Sequence, residues 1–369
     1  MSTTTHNSDP LVRISKRDSI STGKSISIRL IAIAIALVVC GILIYALVEM
    51  NPLKVYAAMF EGAFGSTRKS WITIRDTMFL LCIGIGLAPA FKMRFWNIGA
   101  EGQVLVGGMA TAFCMINYPT LPTFLLFAVM IISSIIGGAI WGFIPAIFKS
   151  RFGTNETLFT LMMNYIAIQL TAFAVSKWEG TPGSNSVGVI NMQGQAGWFP
   201  SFLGQQYMVN LLLVIVLAVG MFIYLKSSKQ GYEITVVGSS ENTARYAGIS
   251  VAKVTLRTMA ISGAICGFAG FLAVSGSSHT ISVNTAGGNG FTAIIVAWLA
   301  KFNTFVMLLI AVFLAFLEKG AIEIASQYDL NEYAADIISG IILFFILGSE
   351  FFINYQLHFR KASKKGAEV

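Results

Sequence analysis

Three polar side chains interrupt an otherwise apolar stretch of the sequence, at Asn97, Glu101 and Gln103. Glycines lie on both sides of the glutamate, and glycine lets another backbone approach closely. If a membrane helix begins near Arg94, Glu101 lies about 10 Å inside it, at about 1.5 Å per residue. A carboxylate at that depth is costly and normally faces a cavity or a partner group. Two hypotheses follow: the three side chains line or gate a path for a solute, or Glu101 pairs internally and holds two helices together.

A second polar cluster follows Arg151 and includes Asn155, Glu156, Asn164 and Tyr165. Asn155 can cap a helix, and Glu156 suits the positive N-terminal end of a helix, so structural roles explain these two residues. Asn164 and Tyr165 lie two turns or more further along, where a polar group inside a membrane must find a partner. They are therefore further candidates for the solute path.

A third polar segment, Gly-Gly-Asn-Gly at residues 287–290, precedes a short apolar stretch, and its amide side chain is Asn289. The segment resembles the glycine-rich residues 99–103. Interrupted helices at corresponding places in two halves of a transporter indicate a substrate site where the halves meet. The sequence therefore predicts a weak internal repeat, with helices two to five matching helices seven to ten, and it adds Asn289 to the path candidates.

Residues suited to catalysis or metal binding are not grouped in this sequence. The histidines His6, His279 and His358 are far apart, and the four cysteines lie in different apolar stretches without the spacing of a metal site. Residues 22–25, Thr-Gly-Lys-Ser, resemble the end of a nucleotide-binding P-loop, but Asp18 stands where its first glycine belongs. We therefore predict no catalytic residue, no metal site and no cofactor bound by this chain. Any energy from ATP would require a partner ATPase.

The composition places the chain in a membrane. Hydrophobic residues make up 55% of its 369 residues, charged residues make up 11%, and the mean hydropathy is +0.73. Soluble domains carry about 25% charged residues, so that class is excluded. The apolar residues form stretches of about 18 or more, the length that crosses a bilayer as a helix. The formal net charge is +8, but the basic residues stand at the ends of those stretches, which indicates membrane topology rather than nucleic-acid binding.

We predict an all-α fold, a polytopic transmembrane bundle of about ten helices with both termini in the cytoplasm. Most of the basic residues fall in the segments that this topology places inside, as the positive-inside rule requires. The expected parts are a basic cytoplasmic segment (1–29), a transmembrane domain (30–354), an external loop (178–206), an inner loop (227–257) and a basic cytoplasmic tail (355–369). The ten helices are predicted near residues 28–50, 71–91, 96–116, 124–148, 157–175, 207–226, 258–275, 290–300, 304–324 and 335–354.

The inner loop contains a short helix whose two ends carry matching signals. Ser239 or Ser240 can cap its start, Glu241 lies in its first turn, Arg245 lies in its last turn and Gly248 can end it. A capped helix on the cytoplasmic side favours a docking partner. The alternative is that the helix lies on the lipid surface or packs under its own bundle.

These segments resemble the signatures of a bacterial ABC importer permease family that includes branched-chain amino acid, ribose-type sugar and nucleoside permeases. The resemblance rests on residues 95–103, on Asn155 and Glu156 with Asn164 and Tyr165, and on residues 237–270. Together these matches span most of the chain after residue 70. Within that family, the chain looks most like the larger of two permeases in nucleoside importers.

The resemblance implies a permease subunit of a bacterial cytoplasmic membrane that moves nucleosides with energy from ATP hydrolysed elsewhere. It implies an ABC ATPase subunit, a second and smaller permease subunit, and an extracytoplasmic substrate-binding lipoprotein as partners. The inner helix would dock on the ATPase through Glu241, Arg245, Tyr246 and Gly248. Branched-chain amino acids and pentose sugars stay open as alternative substrates. An ATP-independent secondary carrier or channel is the alternative of a different class.

Overall fold

The computed structural model describes residues 12–17, 20–48, 51–329 and 332–359. His6, Asp18 and most of the predicted basic tail lie outside the described residues. Within them the chain forms thirteen α-helices, one π-helical turn and two short strands, so the predicted all-α fold is confirmed. These elements are β1 (Val12–Lys16), α1 (Thr22–Val48), α2 (Pro52–Phe64), α3 (Thr67–Lys92), α4 (Ala100–Asn117), α5 (Thr123–Phe152), α6 (Glu156–Trp178), α7 (Met208–Ser227), α8 (Lys229–Ser239), α9 (Glu241–Tyr246), α10 (Val251–Ala273), the π-helical turn (Val274–Ser278), α11 (Asn289–Leu299), α12 (Thr304–Gln327), α13 (Glu332–Asn354) and β2 (Tyr355–Phe359).

Eight of the described helices are long and apolar enough to cross a membrane: α1, α3, α5, α6, α7, α10 with its π-helical turn, α12 and α13. The two other predicted spans are α4 and α11. Helix α4 begins with the polar residues Glu101 and Gln103, and α11 has only 11 residues. Eleven residues rise about 16 Å, roughly half the thickness of a bilayer's hydrocarbon core. The chain is a multi-pass membrane bundle in which α11 is the short, interrupted segment that the sequence predicts.

Two predicted helix boundaries are wrong. Helix α4 begins at Ala100 rather than near residue 96, because Arg94 has a positive φ of 62° and the following residues are not helical. Glu101 therefore lies in the first turn of its helix, and its burial does not come from depth along a helix that starts at Arg94. Helix α10 begins at Val251, inside the predicted inner loop. Helices α2 and α8 are not among the ten predicted spans, and both are too short to cross a bilayer.

Contacts divide the described residues into two compact units, of which the first comprises those that fall within 1–62 and 320–369. In this unit α1 packs against α13, and Arg29 forms an ion pair with Glu350. Strands β1 and β2 pair in antiparallel register, with Val12 opposite Phe359. The two described ends of the chain therefore meet, as an even number of crossings requires. Their cytoplasmic location stays a prediction.

The second unit comprises residues 63–319 and is built around α10, which packs against α3, α4 and α5. Glycines allow the backbones of α10 and α5 to touch. A Cβ atom added at Gly263 would lie 2.2 Å from the carbonyl oxygen of Gly138, and one added at Gly267 would lie 2.3 Å from that of Ser134. Small residues at close helix contacts are the usual means of packing helices within a membrane.

Candidate functional site

A helix break, here defined as residues 93–99, separates α3 from α4. The first N–H groups of a helix have no partner within the helix, so they must be satisfied from elsewhere. The side chain of Asn97 accepts from the N–H of Gly99 (N to O, 3.0 Å), and that of Asn164 accepts from the N–H of Gly102 (2.9 Å). Asn164 also donates to the carbonyl of Ile98 (2.8 Å). The side-chain amide of Asn164 on α6 therefore makes hydrogen bonds that a preceding turn of α4 would otherwise make.

The amides of Asn97 and Gln103 face each other inside the second unit. Asn97 Nδ2 donates to Gln103 Oε1 (3.3 Å), and Gln103 Nε2 donates to Asn97 Oδ1 (3.2 Å). Asn97 Nδ2 also donates to Ser262 Oγ on α10 (3.1 Å). All three side chains are buried. Ser262 is a partner that sequence reasoning missed, because 165 residues separate it from Asn97.

Glu101 joins the starts of two helices. Its Oε1 accepts from the N–H of Gly288 and its Oε2 accepts from the N–H of Gly290, both at 2.8 Å. The residue is 7% exposed, and a Cβ atom at Gly290 would lie 2.5 Å from the backbone nitrogen of Glu101. The negative carboxylate thus lies at the positive N-terminal ends of both α4 and α11. The two glycine-rich segments that resemble each other in sequence, residues 99–103 and 287–290, are therefore in contact. Glu101 of the first segment accepts hydrogen bonds from backbone N–H groups of the second. A part for Glu101 in a solute path stays a prediction.

The two remaining path candidates lie apart from this junction. Tyr165 is 58% exposed and lies about 100° around α6 from the buried Asn164. Gln169, one helical turn later, is exposed on the same face; its spacing of four residues from Tyr165 was the signal that sequence reasoning overlooked. Asn289 is the first residue of α11, donates to the carbonyl of Ala286 (3.1 Å) and lines a polar cavity.

The short inner helix has the ends that the sequence predicts. Ser240, not Ser239, caps α9, since its Oγ accepts from the N–H of Thr243 (3.2 Å). Gly248 has a φ of +75° and ends the turn. Glu241 and Arg245 form an exposed ion pair of 3.6 Å, which contributes little to stability. Tyr246 is 94% exposed.

Helix α8 fixes the position of α9. A Cβ atom added at Gly238 would lie 2.1 Å from the carbonyl oxygen of Lys92, so the end of α8 rests directly on the end of α3. On α8, Glu233 forms an ion pair with Arg257 of α10 (2.9 Å). The exposed α9 is therefore carried by a helix that touches both α10 and the residue preceding the helix break.

The predicted external loop is anchored to His279, the residue that follows the π-helical turn. The ring of Trp198 stacks on that of His279 with 3.8 Å between centroids, and the N–H of Ile190 donates to the carbonyl of His279 (2.8 Å). Burial lowers the pKa of His279, against a smaller opposing effect of the carbonyls of Val274 and Ser275. The neutral imidazole is the form that packs against the indole. Among the described residues no group of three or more His, Cys, Asp or Glu side chains could hold a metal ion.

Comparison with known proteins shows that this chain is similar to permease subunits of ABC transporters. The family described as "Branched-chain amino acid transport system / permease component" matches residues 72–347. The guanosine ABC transporter permease protein NupP of Bacillus subtilis (strain 168) is 32% identical over 346 residues, covering 92% of this chain and 97% of that protein. The glucose ABC transporter permease protein TsgB13 of Haloferax volcanii is 27% identical, covering 87% of each. The nucleoside ABC transporter permease protein NupB of Lactococcus lactis subsp. cremoris is 26% identical, covering 91% of this chain and 95% of that protein.

Proposed function

Because this chain belongs to the branched-chain amino acid transport system / permease component family, we propose that it carries nucleosides across a bacterial cytoplasmic membrane as one subunit of an ATP-driven importer. Its likeness to the guanosine permease, over nearly the whole length of both proteins, is the observation that carries the choice of substrate. The glucose permease among its relatives keeps a sugar as the second candidate. Support for branched-chain amino acids as the substrate comes from the family description alone.

Membership of the ABC permease family implies an ATPase partner and a substrate-binding protein. We propose in addition that a smaller permease subunit completes the membrane part and that the binding protein is a lipoprotein on the external side. The ATPase would dock on α9, whose exposed Tyr246 and Glu241–Arg245 pair offer both an aromatic and charged groups for contact. Since α8 rests on the end of α3, a push on α9 would reach the helix break directly.

Reversing one charge on α9 tests this docking surface. In the assembled complex we expect Arg245→Glu to insert normally, since the side chain is exposed, and to lower both guanosine uptake and ATP hydrolysis by about tenfold, as expected for a like charge in a docking surface. Vesicle uptake of labelled guanosine with and without ATP measures the effect. Lys229→Glu, an exposed charge reversal at the start of α8, is the control and should behave like the wild type.

Each of three results would contradict part of the proposed function. Unchanged uptake and ATP hydrolysis in Arg245→Glu would remove α9 from the ATPase interface. Guanosine uptake by this chain alone, without an ATPase subunit, would favour a secondary carrier or channel. Competition by glucose, ribose or leucine against labelled guanosine in the same vesicles would identify a different substrate class.

One exposed face of α6 differs from the exposed faces of two other spanning helices, α5 and α7. Near the middle of this 23-residue helix, the exposed positions include the phenol of Tyr165 and the amide of Gln169. At comparable positions α5 exposes Ile132 and Ile136, and α7 exposes Val216. An amide facing hydrocarbon without a partner is costly, whereas isoleucine and valine suit lipid. We therefore assign the Tyr165–Gln169 face to the wall of the solute path, facing the second permease subunit.

Cysteine accessibility tests this assignment. We expect Tyr165→Cys and Gln169→Cys in the assembled complex to react with a charged, water-soluble thiol reagent at least about tenfold faster than Ile136→Cys and Val216→Cys, because charged reagents enter hydrocarbon poorly. All four native cysteines are buried, so their background reaction should be slow. Equal rates at the four positions would place this face of α6 against lipid and contradict the assignment.

A further inference from the structure

A polar cleft of about 190 Å³ lies in the second unit between α9 and the helix break. The end of α5, the start of α6, the end of α8 and the first turns of α10 form its other sides. Its lining includes Arg94 and Phe95 of the break and Glu241 and Arg245 of α9. The volume suits a single side chain, since it equals that of about six waters at about 30 Å³ each. A group that enters the cleft therefore touches both α9 and the break.

The charges of the cleft leave one cation without a partner. Lys149 pairs with Glu156 (Nζ to Oε2, 2.8 Å). Arg245 pairs with Glu241 (Nη2 to Oε2, 3.6 Å). The guanidinium of Arg94 is exposed and has no ion pair or hydrogen bond among the described residues. Three cations and two anions line the cleft and give it a net charge of +1, which favours an anionic partner.

The backbone at Arg94 is strained. The N–H of Arg94 donates to the carbonyl of Phe91 (2.9 Å), and that of Phe95 donates to the carbonyl of Ala90 (3.0 Å). These are the two hydrogen bonds of a Schellman motif at the end of α3. The φ of Arg94 is 62°, in the left-handed region where glycine is usual because it has no Cβ atom. Gly248 takes the corresponding position at the end of α9.

The dipole of α3 explains a positive charge at this position but not the choice of arginine. The C-terminal end of a helix favours cations, and Lys301 ends α11 in the same motif with a φ of 48°. Arginine differs from lysine by a planar set of donors that matches a carboxylate at two points. Strained residues cluster where a function requires them. An exposed arginine without a partner, held at positive φ in a cationic cleft, therefore indicates a carboxylate partner.

We propose that the cleft receives an acidic side chain of the ATPase, whose carboxylate binds Arg94 while the surrounding surface of the ATPase docks on α9. This inference rests on the proposed ATP-driven import. The cleft and α9 form one continuous surface, since Glu241 and Arg245 belong to both. The contact places the ATPase directly on the helix break, in addition to the connection through α8 and the end of α3. The start of α4, which Glu101 joins to α11, follows five residues after Arg94.

Chemical restoration of the charge at position 94 tests the proposal. We expect Arg94→Cys to lower ATP-driven guanosine uptake, and the affinity of the membrane subunits for the ATPase, by about fivefold or more, as expected for loss of a charge-assisted contact. Treating the membranes with 2-aminoethyl methanethiosulfonate before the ATPase is added attaches an ammonium group and should restore most of both. The negatively charged 2-sulfonatoethyl reagent should not. All four native cysteines are buried, so their background reaction should be slow.

Lys229→Cys is the matched control for these reagents. Lys229 is an exposed basic residue of α8 that does not line the cleft. Neither reagent should change the ATPase affinity of this variant.

Glycine at position 94 separates the contact from folding. Because glycine suits a φ of 62°, we expect Arg94→Gly to keep or raise the thermal unfolding temperature while losing ATPase affinity as Arg94→Cys does. Arg94→Lys keeps the charge but not the two-point geometry, so its affinity should be intermediate.

Three results would overturn the cleft assignment. The first is wild-type ATPase affinity in both Arg94→Cys and Arg94→Gly. The second is restoration by both reagents or by neither, since charge would then not be the cause. The third is loss of the Arg94→Cys effect in vesicles of neutral phosphatidylcholine, which would assign the cleft to an anionic lipid headgroup.

The proposed function is read separately, because ATPase affinity is measured without a substrate. If the charge effects at position 94 appear but the wild-type complex carries no guanosine, the substrate is wrong and the cleft assignment stands. If guanosine uptake is ATP-driven and Arg245→Glu lowers it while Arg94→Cys and Arg94→Gly do not, docking on α9 stands and the cleft assignment is wrong.

Discussion

Replacing Glu101 with leucine should abolish both guanosine uptake and the stable fold of the second unit. The change leaves the N–H groups of Gly288 and Gly290 buried without an acceptor. Hydrogen bonds to a charged group contribute about 1.5–3 kcal/mol each, so the expected loss is about 3–6 kcal/mol. Thermal unfolding of the purified protein in detergent measures the stability. Glu61→Leu, at an exposed glutamate of α2, should change it little.

The variant Glu101→Gln distinguishes the two hypotheses for this residue. A glutamine keeps one oxygen acceptor but turns an NH₂ group toward the second N–H, so we expect an intermediate loss of stability. If uptake falls in proportion to stability, the residue acts by holding α4 and α11 together. Stability close to that of the wild type with uptake lost would give the carboxylate a direct part in the path. Full stability and uptake in Glu101→Leu would contradict both.

Adding a single methyl group at Gly267 should separate α10 from α5. The new Cβ atom would lie 2.3 Å from the carbonyl oxygen of Ser134 and 2.9 Å from the Cα atom of Gly138. Both contacts are with backbone, which cannot turn aside as a flexible side chain can. We expect Gly267→Ala to cost about 3 kcal/mol or more, the upper range for overpacking, and to reduce the amount of folded protein in the membrane.

A glycine on α7 supplies the matched control. Alanine is a better helix former than glycine by about 1 kcal/mol, so the same substitution at an open position should be neutral or stabilising. Gly220 has no atom within 4 Å of an added Cβ, and Gly220→Ala should keep or raise the thermal unfolding temperature. Stability changes of opposite sign in Gly220→Ala and Gly267→Ala would identify backbone contact as the cause of the destabilisation at position 267. Equal effects would mean that helix propensity, not packing, decides both.

The contacts around the helix break offer a route from α9, the proposed docking helix for the ATPase, to the helix starts. Helix α9 continues from α8, α8 rests on the last residue of α3, and the break that follows leads to α4. The start of α4 is in turn held to α11 by Glu101. Movement along this series would alter the junction of α4 and α11.

Several features follow from the sequence alone because their causes are local. The membrane class follows from composition, and the apolar stretches that form the spans follow from their length. The cap at Ser240 and the end at Gly248 follow from side chains within a few residues of the turns they stabilise. The glycine-rich starts at 99–103 and 287–290 mark the two helix starts that the structure joins.

Other features were decided only by the tertiary structure. Glu101 finds its partners 187 and 189 residues away, and Asn164 replaces the first turn of α4 from 62 residues away. The ion pair of Asp76 with Lys319 likewise depends on helices distant in sequence. Burial and hydrogen bonding are satisfied by whichever groups packing brings together, and packing depends on the shapes of whole helices. The sequence by itself therefore determined that polar groups enter the membrane, whereas the fold determined that Glu101 holds two helix starts and that Gln169 lies on an exposed face of α6.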